Sequence, residues 1–261
     1  MLHTLWFTGQ ARAMHLDVTE LRDFYYRSRL GRAAQRGLRE QVHDLWPDMA
    51  RLNLVGFGFA VPVLRPYLRA ARRVIALMPA GQGVMHWPAE GDNVSVLCHE
   101  TRWPVAPGSA DRIILMHGLE CSERPSAVLE SCARSLAPGG QVMFILPNRR
   151  GLWARRDGTP FAVGRPYSLG QIETQLTAHG FVPQRHRAAL FFPPSGRRFW
   201  LRSAGVWERA GRAMSSYWAG GALLVEAVRQ DDRPARPGLP EAVRRPLKIL
   251  EGAPRPGSKP A

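Results

Sequence analysis

The chain has 261 residues, 45% of them hydrophobic, enough for one substantial core, yet no apolar run reaches the roughly 18–20 residues that a membrane-crossing helix needs. Its three cysteines, Cys98, Cys121 and Cys132, are too few and too irregularly spaced for a zinc site or a disulfide framework, so no metal is expected and a reducing cytoplasm fits. Net charge is +15, carried by 34 Arg and two Lys and concentrated after residue 150; without an aromatic-basic ladder for base stacking, a solvated basic face is favoured over a nucleic-acid surface.

Residues 1–16 carry no signal-peptide pattern and are expected to be disordered or to precede the true start, with Met14 as the alternative first residue. Asp17-Val-Thr-Glu20 reads as a capping-box-like helix start, and 17–50 as a helical extension that continues to about Gly37. Leu21, Phe24, Tyr25, Leu30, Ala33 and Ala34 share a face expected to pack over the edge of a sheet domain. From 51 to 230, short apolar runs alternate with helix-like segments, the pattern of an α/β sheet built from crossover units. Strands are expected near 52–56, 74–78, 94–97, 112–116, 141–146, 182–191 and 221–229. Helices are expected at Pro62–Ala71, Ser126–Ser135 and Leu169–His179, the last with Ser168 and Gln171 as a capping box and Gly180 as its stop. Trp200, Ala204, Trp207, Ala210 and Met214 recur at helical spacing with arginines outside that stripe, so an amphipathic helix over 197–214 is expected to dock between the last two strands. The final segment, 231–261, holds seven of the 22 prolines and reads as a disordered tail.

The most informative segment is Leu52-Asn-Leu-Val-Gly-Phe-Gly-Phe-Ala60, an apolar strand ending in a Gly-x-Gly turn before a helix. Such a turn lets backbone N–H groups approach a ligand at the carboxyl end of a parallel strand. Gly56 and Gly58 also suit a tight turn that holds no ligand. A dinucleotide site is disfavoured, because Val61 and Met78 stand where its third glycine and its acid belong.

Three further motifs follow in order: Ser109-Ala-Asp-Arg-Ile-Ile-Leu-Met-His-Gly-Leu-Glu120, Leu136-Ala-Pro-Gly-Gly140, and Gln141-Val-Met-Phe-Ile-Leu-Pro-Asn148. With the first turn they resemble the class I S-adenosylmethionine-dependent methyltransferases, specifically the broad bacterial group called methyltransferase type 11, over about residues 52–148 and more weakly to 230. The resemblance implies a three-layer αβα Rossmann-like fold with a mostly parallel seven-stranded sheet and an antiparallel last strand. It implies S-adenosyl-L-methionine as cofactor and a small-molecule methyl acceptor. Gly56, Phe57, Gly58 and Ala60 then occupy the cofactor loop and Met78 the place of the acid that normally holds the ribose. Leu54 replaces a second acid. His99 and Glu100 follow the third strand, near where the family contacts adenine, and Gln82 is a compensating polar group.

Methyl transfer needs alignment and exclusion of water more than a dedicated base. If the acceptor is a hydroxyl, His117 at the exit of the fourth strand is the candidate proton acceptor and also borders the cofactor, with Glu120 three residues on. A packed, hydrogen-bonded histidine is the competing reading. Arg149 and Arg150, leaving the fifth strand, are candidates for clamping an acidic substrate group. Two alternatives stay open: a methyltransferase-like binding or regulatory protein without catalysis, and an RNA methyltransferase docked through the basic surface.

Overall fold

The computed structural model describes residues 16–213 and 219–230. The expected disordered start and tail, and Met214 of the amphipathic stripe, lie outside them.

Seven strands form one sheet in the order β3-β2-β1-β4-β5-β7-β6: β1 (Asn53–Gly58), β2 (Arg73–Pro79), β3 (Ser95–Cys98), β4 (Ala110–Met116), β5 (Leu136–Pro147), β6 (Phe181–Ala189) and β7 (Ala222–Arg229). The β3-β2-β1-β4-β5 pairs are parallel, and β7 runs antiparallel to both β5 and β6. The order reverses between β1 and β4, so a crevice opens beyond the carboxyl ends of the central strands. Both faces are covered, as parallel strands require. In β4, Ile113 and Leu115 enter one core cluster while Ile114 and Met116 enter the other; β5 divides Phe144 and Leu146 from Met143 and Ile145 in the same way. The strand positions agree with the sequence reading, but β5 begins earlier, taking in the Leu136-Ala-Pro-Gly-Gly140 motif.

One layer holds α4 (Pro125–Ser135) and α5 (Leu169–Ala178), the latter with the expected Ser168–Gln171 capping box. The other begins with α1 (Val18–Arg22), a π-helical turn (Asp23–Arg27) and α2 (Arg29–Leu45). Here three expectations are corrected. Asp17 accepts from the Thr19 N–H at 2.6 Å, without a reciprocal bond from Glu20. The helix breaks at Ser28, whose side chain caps Gly31 and starts α2, and α2 runs to Leu45 because nothing stops it before Pro47. Finally, these helices pack on the face of the sheet rather than over its edge, since Leu21, Tyr25, Ala34 and Leu38 share a cluster with Leu54, Ile114 and Leu224. Arg185 pins the arrangement by donating to Glu226 on β7 at 2.7 Å and to the Leu45 carbonyl at 3.0 Å.

The helix expected over 62–71 shrinks to α3 (Val61–Leu64) and a 3-10 turn (Arg65–Tyr67), because Pro66 supplies no N–H to continue the ladder. The amphipathic helix exists as α6 (Arg198–Ala213), but its docked face differs from the one expected. Ala204, Glu208 and Gly211 are buried, with Glu208 accepting the Phe191 N–H at 2.8 Å, while Phe199, Val206 and Trp207 stay exposed. An acid whose carboxylate anchors a backbone amide outweighed the aromatic periodicity.

Candidate functional site

The segments that leave β2, β3 and β4 at their carboxyl ends enclose a cavity of about 210 Å³. It is lined by Pro79 to Gln82, by His99 and Glu100, and by His117, Gly118 and Cys121 to Glu123. Its volume falls below the roughly 300–1,000 Å³ of small-molecule sites. Glu100 is half-buried and accepts from Ser122 Oγ at 3.0 Å, while its backbone carbonyl accepts from Trp103 Nε1 at 2.9 Å. The carboxylate is thereby held at the cavity with one oxygen spare for a ligand hydroxyl or amine. His99 is exposed, and its Nδ1 accepts from the Thr101 N–H at 3.3 Å, which leaves Nε2 for a ligand.

His117 is the junction of the site. Its backbone has a φ of 52°, a conformation that costs a non-glycine residue about 1–3 kcal/mol and persists only where surroundings enforce it. Those surroundings are visible: the Gln82 side chain donates to the His117 carbonyl, the Tyr25 hydroxyl lies 2.7 Å from Nε2, and Glu120 Oε1 lies 3.2 Å from Nδ1. The last pair misses hydrogen-bond geometry, and both Glu120 oxygens are buried without a hydrogen-bond partner. Burial, followed by the Glu120 charge and Tyr26, raises the Tyr25 phenol well above its ordinary value, so it stays a neutral hydroxyl beside the imidazole. Tyr25 also stacks with Phe59 at a centroid distance of 5.9 Å, which seals the space between the N-terminal helices and the first turn.

Three of the expected site residues meet here: His99, Glu100 and His117 line the cavity, and Glu120 sits behind His117. The glycine turn does not. Gly56, Phe57, Gly58, Ala60 and Met78 are buried in the core and line no part of it. A Cβ on Gly56 would come within 2.5 Å of Leu64 Cδ1, and one on Gly58, where φ is 78°, within 2.4 Å of the Met116 carbonyl oxygen. The amide after the turn is already spent, because the Phe59 N–H donates to Met116 O at 2.7 Å. These glycines serve close packing of β1 on α3 and β4. Arg149 and Arg150 are likewise removed from the cavity: the Arg149 fork closes on the Pro166 carbonyl at 3.0 and 3.2 Å, and the Arg150 N–H goes to Asn148 Oδ1.

Sequence reasoning assigned Tyr25 to packing only and passed over Ser122. The signal for Tyr25 was confined to an apolar face, and its contact with His117 spans 92 residues. The cysteines are buried as expected, and burial pushes the Cys98 thiol up to about 12. Among the described residues, no helix is long and apolar enough to cross a membrane.

Residues 55–144 match the profile of a family described as a methyltransferase domain. A ubiquinone biosynthesis O-methyltransferase of Xanthomonas euvesicatoria pv. vesicatoria is 30% identical over 100 residues, a match that spans 38% of this chain and 36% of that enzyme. The fold is similar to a chain in the Haloferax volcanii Trm112 methyltransferase activator complex (TM-score 0.60, 15% identity, 81% of this chain and 96% of that one). It is also similar to an S-adenosylmethionine-dependent methyltransferase of Thermotoga maritima (TM-score 0.54, 15% identity, 77% and 91%). The [4+2]-cyclase SpnF shares the fold as well (TM-score 0.51, 17% identity, 77% and 82%), so these likenesses speak to architecture and leave the reaction open.

Proposed function

We propose that the chain is a class I S-adenosylmethionine-dependent methyltransferase, on the match of residues 55–144 to a methyltransferase domain, and that it transfers a methyl group from S-adenosyl-L-methionine to a small molecule. The observation that carries the reading is the cavity at the carboxyl ends of β2, β3 and β4, where Glu100, His99 and Ser122 offer polar groups to a nucleoside. The domain is assigned to 51–230 with 17–50 as its helical extension, and its buried thiols suit the cytoplasm.

The residues fit the adenosyl half of the cofactor. Glu100 replaces, from the end of β3, the acid missing at Met78 on β2. The sulfonium half finds no cradle in the glycine turn, so its room has to come from the Tyr25–His117–Phe59 contact. When bound, the cofactor supplies an electrophilic methyl carbon. The chain's own residues supply the rest: Glu100 and His99 orient, the N-terminal helices exclude water, and His117 Nε2, once released by Tyr25, takes the proton of an acceptor hydroxyl. Glu120 beside Nδ1 stabilises the imidazolium that forms.

Titration calorimetry with S-adenosylhomocysteine tests this. Saturable heat is expected, weakened about 10- to 150-fold by Glu100→Ala, the equivalent of about 1.5–3 kcal/mol for a lost hydrogen bond to a charged group. The same substitution removes the Ser122 hydrogen bond and should lower folding stability by about 0.5–1.5 kcal/mol, leaving the protein folded. The packing of Tyr25 and Phe59 where the sulfonium belongs supports a second reading, a binding protein without catalysis. Absence of heat with S-adenosylhomocysteine at millimolar concentration, or binding with no methyl transfer to any acceptor, would favour it over the transferase.

A further inference from the structure

A larger cavity, about 320 Å³, lies away from the strand ends and takes no part in the proposed reaction. Trp87, Met85 and Tyr26 give it an apolar interior, and Arg22, Arg27 and Arg65 border it. Its volume is within the usual range for a small-molecule site, which the strand-end cavity is not.

The charge around it is unbalanced. Asp23 serves two of the arginines, 3.5 Å from the half-exposed Arg22 and 3.2 Å from Arg27, whose side chain is largely in solvent. Arg65 is exposed and among the described residues has no carboxylate partner. Three guanidinium groups therefore border the apolar hollow with one carboxylate among them, and arginine is the side chain best matched to phosphate or carboxylate. Desolvation also raises the Tyr26 phenol above its ordinary value, so Tyr26 adds no negative charge to the hollow.

We propose that this cavity is a second binding site, taking a flat apolar molecule that carries one anionic group, a phosphate or carboxylate. The ring system lies against Trp87, Met85 and Tyr26, and the anion meets Arg65 with Arg22 or Arg27. The site is independent of the strand-end cavity, since the two share no lining residue.

Calorimetric titration with 1-naphthyl phosphate, 1-naphthol and inorganic phosphate tests both halves of the requirement. Saturable binding of 1-naphthyl phosphate is expected, with naphthol and inorganic phosphate each weaker by about tenfold or more. Arg65→Glu should weaken it at least about tenfold, and so should Met85→Trp, which fills the hollow without touching the charge. Arg187→Glu, on a surface arginine 4.0 Å from Asp44, should leave it unchanged. Saturating S-adenosylhomocysteine should not compete, which keeps this site separable from the proposed cofactor site. Unaltered binding in folded Arg65→Glu or Met85→Trp protein, equal binding of inorganic phosphate, competition by S-adenosylhomocysteine, or no binding at about 1 mM would each overturn the assignment.

Discussion

Two regions at the same end of the sheet have opposite characters. The β1 turn, with Gly56, Gly58 and Phe59, carries the sequence signature of a ligand loop and is closed: its glycines are in contact with Leu64 and Met116, and Phe59 is covered by Tyr25. The exits of β2 and β3 carry little signature and that of β4 carries His117-Gly-Leu-Glu120; together they line the cavity, with Glu100 held by Ser122. A glycine-rich turn permits close approach, and whatever comes close, ligand or protein, uses the permission.

Four measurements would break or sharpen this contrast. His117→Ala strikes the seal between the regions. It leaves the Glu120 carboxyl and the Tyr25 hydroxyl buried without the imidazole that faces both, so a loss of about 3–5 kcal/mol is expected in chemical denaturation. A loss under about 1 kcal/mol would mean that Glu120 is not held as described.

Gly58→Ala comes next. The positive φ and the Met116 carbonyl together predict about 2–4 kcal/mol, even though no ligand contact is removed. Near-wild-type stability combined with weaker S-adenosylhomocysteine binding would instead make the turn a ligand loop and erase the comparison.

Alkali probes the buried titratable groups on both faces of the sheet. Burial raises the thiols of Cys98, Cys121 and Cys132 and the phenols of Tyr25 and Tyr67, with Tyr67 pushed up to about 12. The fold therefore holds these groups neutral, while the unfolded chain releases their protons near pH 9 to 10. Their contribution is fully present below about pH 9 and lost as pH rises toward 12, at up to about 1.4 kcal/mol per pH unit for each group. Denaturation midpoints constant to pH 11 would contradict it.

Tyr25→Phe is the mildest change. It removes one buried hydroxyl and should cost about 0.5–1.5 kcal/mol. Because it also loosens the contact that closes the sulfonium space, S-adenosylhomocysteine should bind more tightly to the variant. Weaker binding would place the Tyr25 hydroxyl on the ligand's side of the ledger instead.

The sheet was legible from the chain because its strands are buried on both faces and read as short apolar runs. Val74 to Met78 and Val142 to Leu146 could have no other place in a protein of this composition. The capping box of α5 was legible for the same reason, since Ser168 and Gln171 act on their own helix. What the sequence left open were the contacts made at a distance. Nothing local distinguishes a Gly-x-Gly turn that holds a cofactor from one that admits Leu64, or shows that the docked stripe of α6 runs through Ala204, Glu208 and Gly211 and leaves Trp207 in solvent. Tyr25 meets His117 across 92 residues, and Glu100 finds Ser122 across 22. Local periodicity and capping determined the elements; which of their polar and glycine positions enclose a hollow was decided by what else packed against them, and that is a property of the assembled tertiary structure.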